Sequence, residues 1–531
     1  MIRKIKIEDK RVLILFTVAC VFAILIAWRL VSLQILNRSF YLALASGQYE
    51  VYKELFPERG NIYLQDTLLS EDKRYSTSNL YPVALNRKYW QVYAVPYHVQ
   101  NPEQDAEKLV SVLFDRDRER EDFVSSFEPT PEKASLTSEE IEHEMDRQRA
   151  NMKNTFLERL SKDNDPYEPI WNKASDELRL RVEELGLQGI EFAETPYRYY
   201  PEGPLGSHVV GFVGNVDGEE RKQGLYGTEF YFDKELAGSG GYLSSERDVG
   251  GRLITISDSD FRAAVDGASV VLTVDHTLQN FICKKLDEAL EKYEADSGSV
   301  IVMNPKTGAI LSMCGSPGFD PNEYGNVDDI AFYNNPAIFL AYEPGSIFKP
   351  ITMAAGIDLG KVEPETTYVD TGEVKVGGFT IKNSDLKAHG EQNMIEVLKQ
   401  SLNTGVIFVV DQTGKEHFQE YVKRFGFGEK TGIQLPSENP GNIEELLYHD
   451  GIIYSYTSSF GQGLTVTPLQ MVRAFSAIAN GGVLLAPYII DRVVYSNGYI
   501  EESKSRQIAQ VISKRTATLL SGMLVSAIKD G

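Results

Sequence analysis

The chain is 531 residues long, 42% hydrophobic and 24% charged, with a formal net charge of −22. That length exceeds one ordinary core and predicts two or three domains. The acidic balance excludes a nucleic-acid partner, which requires a basic surface to displace counterions.

The first strong element is Val12 to Trp28, 17 residues with only Thr17 polar. As a helix it is ~25 Å long at ~1.5 Å per residue. Leu30, Val31 and Leu33 extend it past a snorkelling Arg29 toward the ~30 Å needed to cross a bilayer. Arg3, Lys4, Lys6, Lys10 and Arg11 precede it against Glu8 and Asp9. The excess of basic residues predicts a cytoplasmic tail (1–11), one uncleaved transmembrane anchor (12–35) and an extracytoplasmic remainder. Ala43-Leu44-Ala45 has small residues suited to a cleavage site but sits too far beyond the apolar run.

From 36 to 100, short β-rich pieces such as Gln91-Val-Tyr-Ala-Val-Pro96 alternate with turns. From 103 to 192 the chain turns polar and helical, with an amphipathic helix over Glu103–Phe114, a breaker at Glu128–Lys133 and a charged helix over Thr137–Arg159. This acidic insert reads as a solvated face. Residues 193–265 are glycine-punctuated strands and turns with no phosphate-binding fingerprint. A new pattern begins at Asp266-Gly267. Ala268–Val274 is a strand, His276–Tyr293 a helix, and Ser299–Met303 with Ala309–Met313 a hairpin about Asn304–Gly308. An α+β domain from 266 to 531 is therefore expected. Of the three cysteines, Cys20 lies in the apolar run. Cys283 and Cys314 have neither redox-motif nor zinc-ligand spacing, and are expected to be small core residues rather than a disulfide.

Tyr342-Glu-Pro-Gly-Ser-Ile-Phe-Lys-Pro350 carries the chemistry. Pro344-Gly345 ends one element, and Ser346 opens a helix on which Lys349, three residues on, shares its face. A serine hydroxyl needs an adjacent base, which a lysine becomes once burial depresses its pKa. The same Ser-x-x-Lys spacing recurs at Ser70–Lys73, Ser384–Lys387 and Ser526–Lys529, and composition predicts roughly two chance matches. Only Ser346 combines a turn, a helix start and an apolar continuation. A second constellation is Ser401-Leu-Asn-Thr-Gly405. Read as an extended turn, it aims Ser401 and Asn403 the same way for proton relay and amide binding. Read as a helix cap, it carries no chemistry.

Ser-x-x-Lys followed by Ser-x-Asn resembles the motif set of penicillin-binding proteins and β-lactamases. The surroundings are similar to class B (monofunctional) penicillin-binding proteins along nearly the whole chain. They include Arg59-Gly60-Asn-Ile-Tyr63, Tyr200-Pro201 to Gly214, Gly224-Leu-Tyr-Gly-Thr-Glu229, Leu272-Thr-Val-Asp275, Pro305-Lys-Thr-Gly308, Asp320-Pro-Asn322, Gly461-Gln-Gly-Leu-Thr-Val-Thr-Pro-Leu-Gln470 and Ala479-Asn-Gly-Gly482.

The resemblance implies an elongated β-rich pedestal (36–265) and a β-lactamase-like transpeptidase sandwich (266–531). It also implies D,D-transpeptidation of D-alanyl-D-alanine stem peptides through an acyl-enzyme, with β-lactams as inhibitors. Ser346 would be the nucleophile and Lys349 its base. Ser401 would protonate the leaving D-alanine, and Asn403 would hold a substrate amide and position Lys349. A glycosyltransferase complex would be the partner, and no metal or organic cofactor is implied.

The sequence departs from the family in two places. Leu64-Gln65-Asp66 stands where a DRNG sequence often follows the arginine-glycine strand. The family's catalytic Lys-Thr-Gly strand comes after the Gly-Gln-Gly signature and one further helix. Lys306-Thr-Gly308 and Lys430-Thr-Gly432 both come earlier, so that strand, which would supply half of the oxyanion hole, is expected beyond Gly531. Alternative readings are a non-catalytic scaffold of wall synthesis, a β-lactamase or β-lactam sensor, and an unrelated exported adhesion protein.

Overall fold

A computed structural model describes residues 22–23, 50–55, 57–66, 79–125, 127, 135–162, 165, 167–216, 222–246, 260–327 and 329–530. Nearly all of the expected anchor (12–35), the Ser70–Lys73 pair and the breaker at 128–133 lie outside these residues. Among the described residues no helix is long and apolar enough to cross a membrane.

The chain forms two compact units, one of residues 1–60 with 237–268 and one of 61–236 with 269–531. In the smaller unit, strand Gly241–Glu246 pairs antiparallel with both Glu50–Leu55 and Asp260–Arg262.

The larger unit is built on a seven-stranded sheet. Its first strands are β1 (Ile62–Gln65) and β2 (Leu80–Ala94). Helices α1 (Pro102–Leu113) and α2 (Ser138–Leu160) follow, then β3 (Glu168–Ala174) and β4 (Ile190–Tyr199). Thr137 and Glu140 close α2 with a capping box, satisfying its first amides. The acidic insert is not only a solvated face. Leu109, Val110, Leu113, Phe156 and Leu160 pack with Val92, Ala94 and Ile170 of the sheet. Its charges spread over the outer side, where Arg116 pairs with Glu142 at 2.5 Å and Asp146 at 3.0 Å.

Strand β5 (Ser269–Asp275) is buried almost throughout and joins β1 in parallel. Asp275 caps α3 (His276–Tyr293), which lies on the hairpin β6 (Gly298–Met303) and β7 (Ile310–Ser316). Gln279 accepts from the Ser312 hydroxyl and the Met313 amide, both at 2.9 Å, and donates to the Met313 carbonyl at 2.9 Å. One helical turn on, this register sets Cys283 against Cys314, and the two form a disulfide with Cα atoms 5.4 Å apart. The expectation of two free core cysteines is thus corrected. Their pairing follows from the packing of helix on strand, which their spacing does not encode.

Beyond the hairpin come α4 (Lys349–Asp358) and four short strands, β8 (Thr367–Asp370), β9 (Glu373–Val376), β10 (Phe379–Lys382) and β11 (Gly390–Asn393). Then follow α5 (Met394–Lys399), α6 (Asn403–Thr413) and α7 (Pro468–Ala479). Strands β12 (Ile490–Val494) and β13 (Ile500–Glu502) precede the final helix α8 (Lys514–Asp530). In space the sheet runs β13-β12-β5-β1-β2-β3, with β4 also on β2. The helices enclose a second core that includes Phe348, Ile351, Val406, Val410, Phe418, Phe425 and Leu520. The functional segments start at its rim.

Candidate active site

Gly345 takes φ +59°, a left-handed conformation that glycine adopts without strain. The turn Gly345–Phe348 then runs into α4. Ser346 is exposed, whereas Phe348 is fully buried and meets the Phe427 ring at 5.1 Å. This anchor holds the serine at the surface and draws Lys349 inward, to 2% exposure.

The Lys349 ammonium donates to the Ser401 carbonyl at 2.5 Å and to the Ser401 hydroxyl at 3.0 Å. Burial pushes its pKa down to about 8, because the charged form loses water. The two motifs therefore meet through Lys349 and Ser401. Ser401 achieves this with φ +56°, uncommon for a residue with a side chain and often seen where function over-determines the backbone. Its carbonyl and hydroxyl consequently reach the same amine.

The segment is not the extended turn that would aim Ser401 and Asn403 alike. Leu402 is extended, and Asn403 is already the first residue of α6. The Asn403 amide donates to the Lys382 carbonyl at 2.8 Å, and among the described residues it makes no bond to Lys349.

The Gly-Gln-Gly signature packs against the serine turn. Gly461 lies so close that a Cβ there would come within 2.2 Å of the Gly345 carbonyl, and the Gly345 amide donates to Gly461 at 3.0 Å. Tyr342 and Val466 exchange both backbone hydrogen bonds, at 3.0 and 2.9 Å. The Glu343 carboxylate accepts from the Gly463 amide at 2.8 Å, a contact that no spacing in the sequence signals. Thr467 and Gln470 form the capping box of α7. The signature thus braces the serine turn.

Neither Lys-Thr-Gly triplet lies on a strand. Lys306–Gly308 makes the β6–β7 turn, where Asn304 accepts from Lys306 at 2.9 Å. Lys430–Gly432 is a loop closed on Glu438, whose carboxylate accepts from the Thr431 and Gly432 amides at 2.7 and 3.0 Å. Beside the serine turn lies an apolar groove of about 680 Å³, lined by Met303, Tyr342, Ile347, Met471 and Phe475 among others. Strand β6 at its wall is paired with β7 alone among the described strands.

An exposed serine one turn before a buried lysine of depressed basicity, on an α+β scaffold, is the arrangement of a serine–lysine acyl-transfer site. Residues 55–272 match the family described as penicillin-binding protein dimerisation domain, and residues 298–531 match penicillin binding protein transpeptidase domain. Stage V sporulation protein D of Bacillus subtilis is 32% identical over 525 residues, which is 98% of this chain and 73% of that protein. Peptidoglycan D,D-transpeptidase FtsI of Escherichia coli is 33% identical over 303 residues, 57% of this chain and 49% of that protein.

Among solved structures, penicillin-binding protein 2X from Streptococcus thermophilus aligns at a TM-score of 0.65 and 23% identity, over 90% of this chain and 66% of that one, a likeness of fold. Penicillin-binding protein 3 from Mycobacterium tuberculosis, complexed with aztreonam, aligns at 0.55 and 30%, over 64% and 70%. The chain belongs to the penicillin-binding proteins, with a dimerisation domain followed by a transpeptidase domain. It spans 73% of the sporulation protein and about half of FtsI.

Proposed function

We propose that this chain cross-links peptidoglycan by D,D-transpeptidation outside the cytoplasmic membrane, held there by residues 12–35 with the N-terminus inside. The observation that carries the reading is the contact of Lys349 with Ser401, made by a buried amine of lowered pKa that follows the exposed Ser346 by one helical turn.

A stem peptide ending in D-alanyl-D-alanine enters beside the serine turn. Ser346 Oγ bonds to the penultimate carbonyl carbon as its proton passes to Lys349 Nζ. The oxyanion rests on the Ser346 backbone N–H. The peptide C–N bond breaks, and Ser401, in contact with Lys349, relays the proton to the departing D-alanine amine. An amine from a neighbouring stem then attacks the ester, and Ser346 regains its proton. Asn403 holds a substrate amide. β-Lactams acylate the same oxygen, and a glycosyltransferase supplies the glycan strands. The Cys283–Cys314 disulfide supports an oxidising, extracytoplasmic setting.

Incubation with benzylpenicillin, followed by peptide mapping, should add one penicilloyl group on Ser346, and Ser346→Ala should carry none. Equal labelling of the variant would sink the assignment. An unlabelled native chain would favour a second reading, a non-catalytic scaffold, which draws on the absence of either Lys-Thr-Gly triplet from the described strands.

A further inference from the structure

Between α4 and α5 the chain makes an excursion through β8–β11, in two antiparallel pairs. None of its residues takes part in the reaction proposed above. Yet at the end of β8 stands Asp370, only 2% exposed, with no cation paired to it among the described residues. A buried carboxylate without a counter-charge is costly unless hydrogen bonds replace its water.

Four donors do so. Asp370 Oδ1 accepts from the Gly372 amide and the Thr404 hydroxyl, both at 2.8 Å. Its Oδ2 accepts from the Asn383 side-chain amide and the His389 backbone amide, both at 2.9 Å. Burial raises its pKa, but these bonds outweigh burial and hold it below the ordinary carboxylate range.

The partners converge on the second motif. Thr404 is the second residue of α6, three positions after Ser401. Its amide donates to Asn383 Oδ1 at 3.2 Å, and its hydroxyl lies 3.1 Å from that of Tyr368. Lys382, the neighbour of Asn383, offers the carbonyl that holds Asn403. One carboxylate thus fixes the start of α6 directly through Thr404, and the strand end that pins Asn403 through Asn383.

We propose that Asp370 is a positioning residue for the acyl-transfer site, clamping the start of α6 so that Ser401 stays on Lys349. The effect on rate rests on the function proposed above, but the effect on Lys349 does not. The test uses the chain with Asp370→Asn, Thr404→Val and Thr404→Ser. Penicillin acylation is resolved into a dissociation constant and a rate constant per titrated site, and the Lys349 amine is titrated by NMR of its labelled ε-carbon.

Asp370→Asn and Thr404→Val should lower the acylation rate constant about tenfold or more, with the dissociation constant within about twofold. Their Lys349 midpoint should rise as water reaches the loosened amine, tenfold in rate corresponding to about one pKa unit. Thr404→Ser, which keeps the hydroxyl, should behave as the native chain. If Asp370→Asn does not fold, the Thr404 pair decides alone. Native per-site rates and midpoints in Thr404→Val would overturn the proposal. A native chain that fails to acylate would remove the function proposed above, and the Lys349 midpoints would still decide the clamp.

Discussion

A lysine that serves as a base must lose its proton near neutrality, and burial at Lys349 provides this. Its pKa of about 8 against an ordinary 10.5 fixes two signs. Acylation needs the neutral amine, so its rate should climb with pH up to about 8 and level off above. A flat profile from pH 6 to 9 would remove Lys349 as the base. The same shift bears on stability. The unfolded chain holds this proton more tightly than the folded one, so stability should rise between pH 8 and 10.5, while below 8 the full cost of the buried charge remains. Lys349→Met should therefore abolish acylation yet raise stability at pH 7 by about 1–3 kcal/mol, read by urea denaturation. The Ser346–Lys349 segment was legible in the sequence because a turn, a helix start and an apolar continuation frame it, a local setting that the other Ser-x-x-Lys matches lack. The left-handed backbone of Ser401 was not, since nothing local in Ser-Leu-Asn requires it. Asp370 was invisible for a related reason, because its four donors come from positions as far apart as 372 and 404.

At the level of elements, legibility follows the range of the interactions. The helix His276–Tyr293 was read with its true ends, because its apolar period and the Asp275 cap are local. The Ser299–Met303 hairpin partner and the helix after Thr137 were read as well. The docking of the charged insert was not, since its apolar residues find their partners only once β2 and β3 exist. The Ser384–Lys387 pair falls in a turn where Asn383 donates to the Lys387 carbonyl at 3.2 Å. There its spacing serves a loop and not a nucleophile. The cysteines show the same limit, since their partnership is set by Gln279 seating α3 on β7. The cross-link closes a loop 31 residues apart in sequence, for which the chain-entropy model gives about 3–4 kcal/mol. Cys283→Ser with Cys314→Ser should lose about that much in denaturant titration. A loss under about 1 kcal/mol would mean that Gln279 and its bonds hold the helix unaided.

For the larger unit as a whole, the sequence marked a boundary near 266, where composition changes, but the sheet runs through it. Strand β5 lies between β12 and β1, so residues before 236 and after 269 share one set of ladder hydrogen bonds. Side chains reinforce the join. Tyr200 and Asn322 exchange two hydrogen bonds, at 3.0 and 2.8 Å, and His208 donates to the Phe332 carbonyl at 2.9 Å. At the root of these contacts Arg198 and Glu229 form an ion pair at 2.6 Å, with side chains 6% and 0% exposed. Removing one charge of such a pair strands the other, at a cost of about 3–5 kcal/mol. Glu229→Gln should therefore destabilise both regions together, although it is remote in sequence from the serine. Trp90 and Trp171 lie in the part of this unit before 236, so in a Trp28→Phe background tryptophan fluorescence reports that part, while penicillin labelling reports the part after 269. In thermal melts the two signals should share one midpoint, and Glu229→Gln should lower both equally. A variant whose tryptophan signal melts early while labelling persists to the native temperature would show that the shared sheet does not couple the two regions.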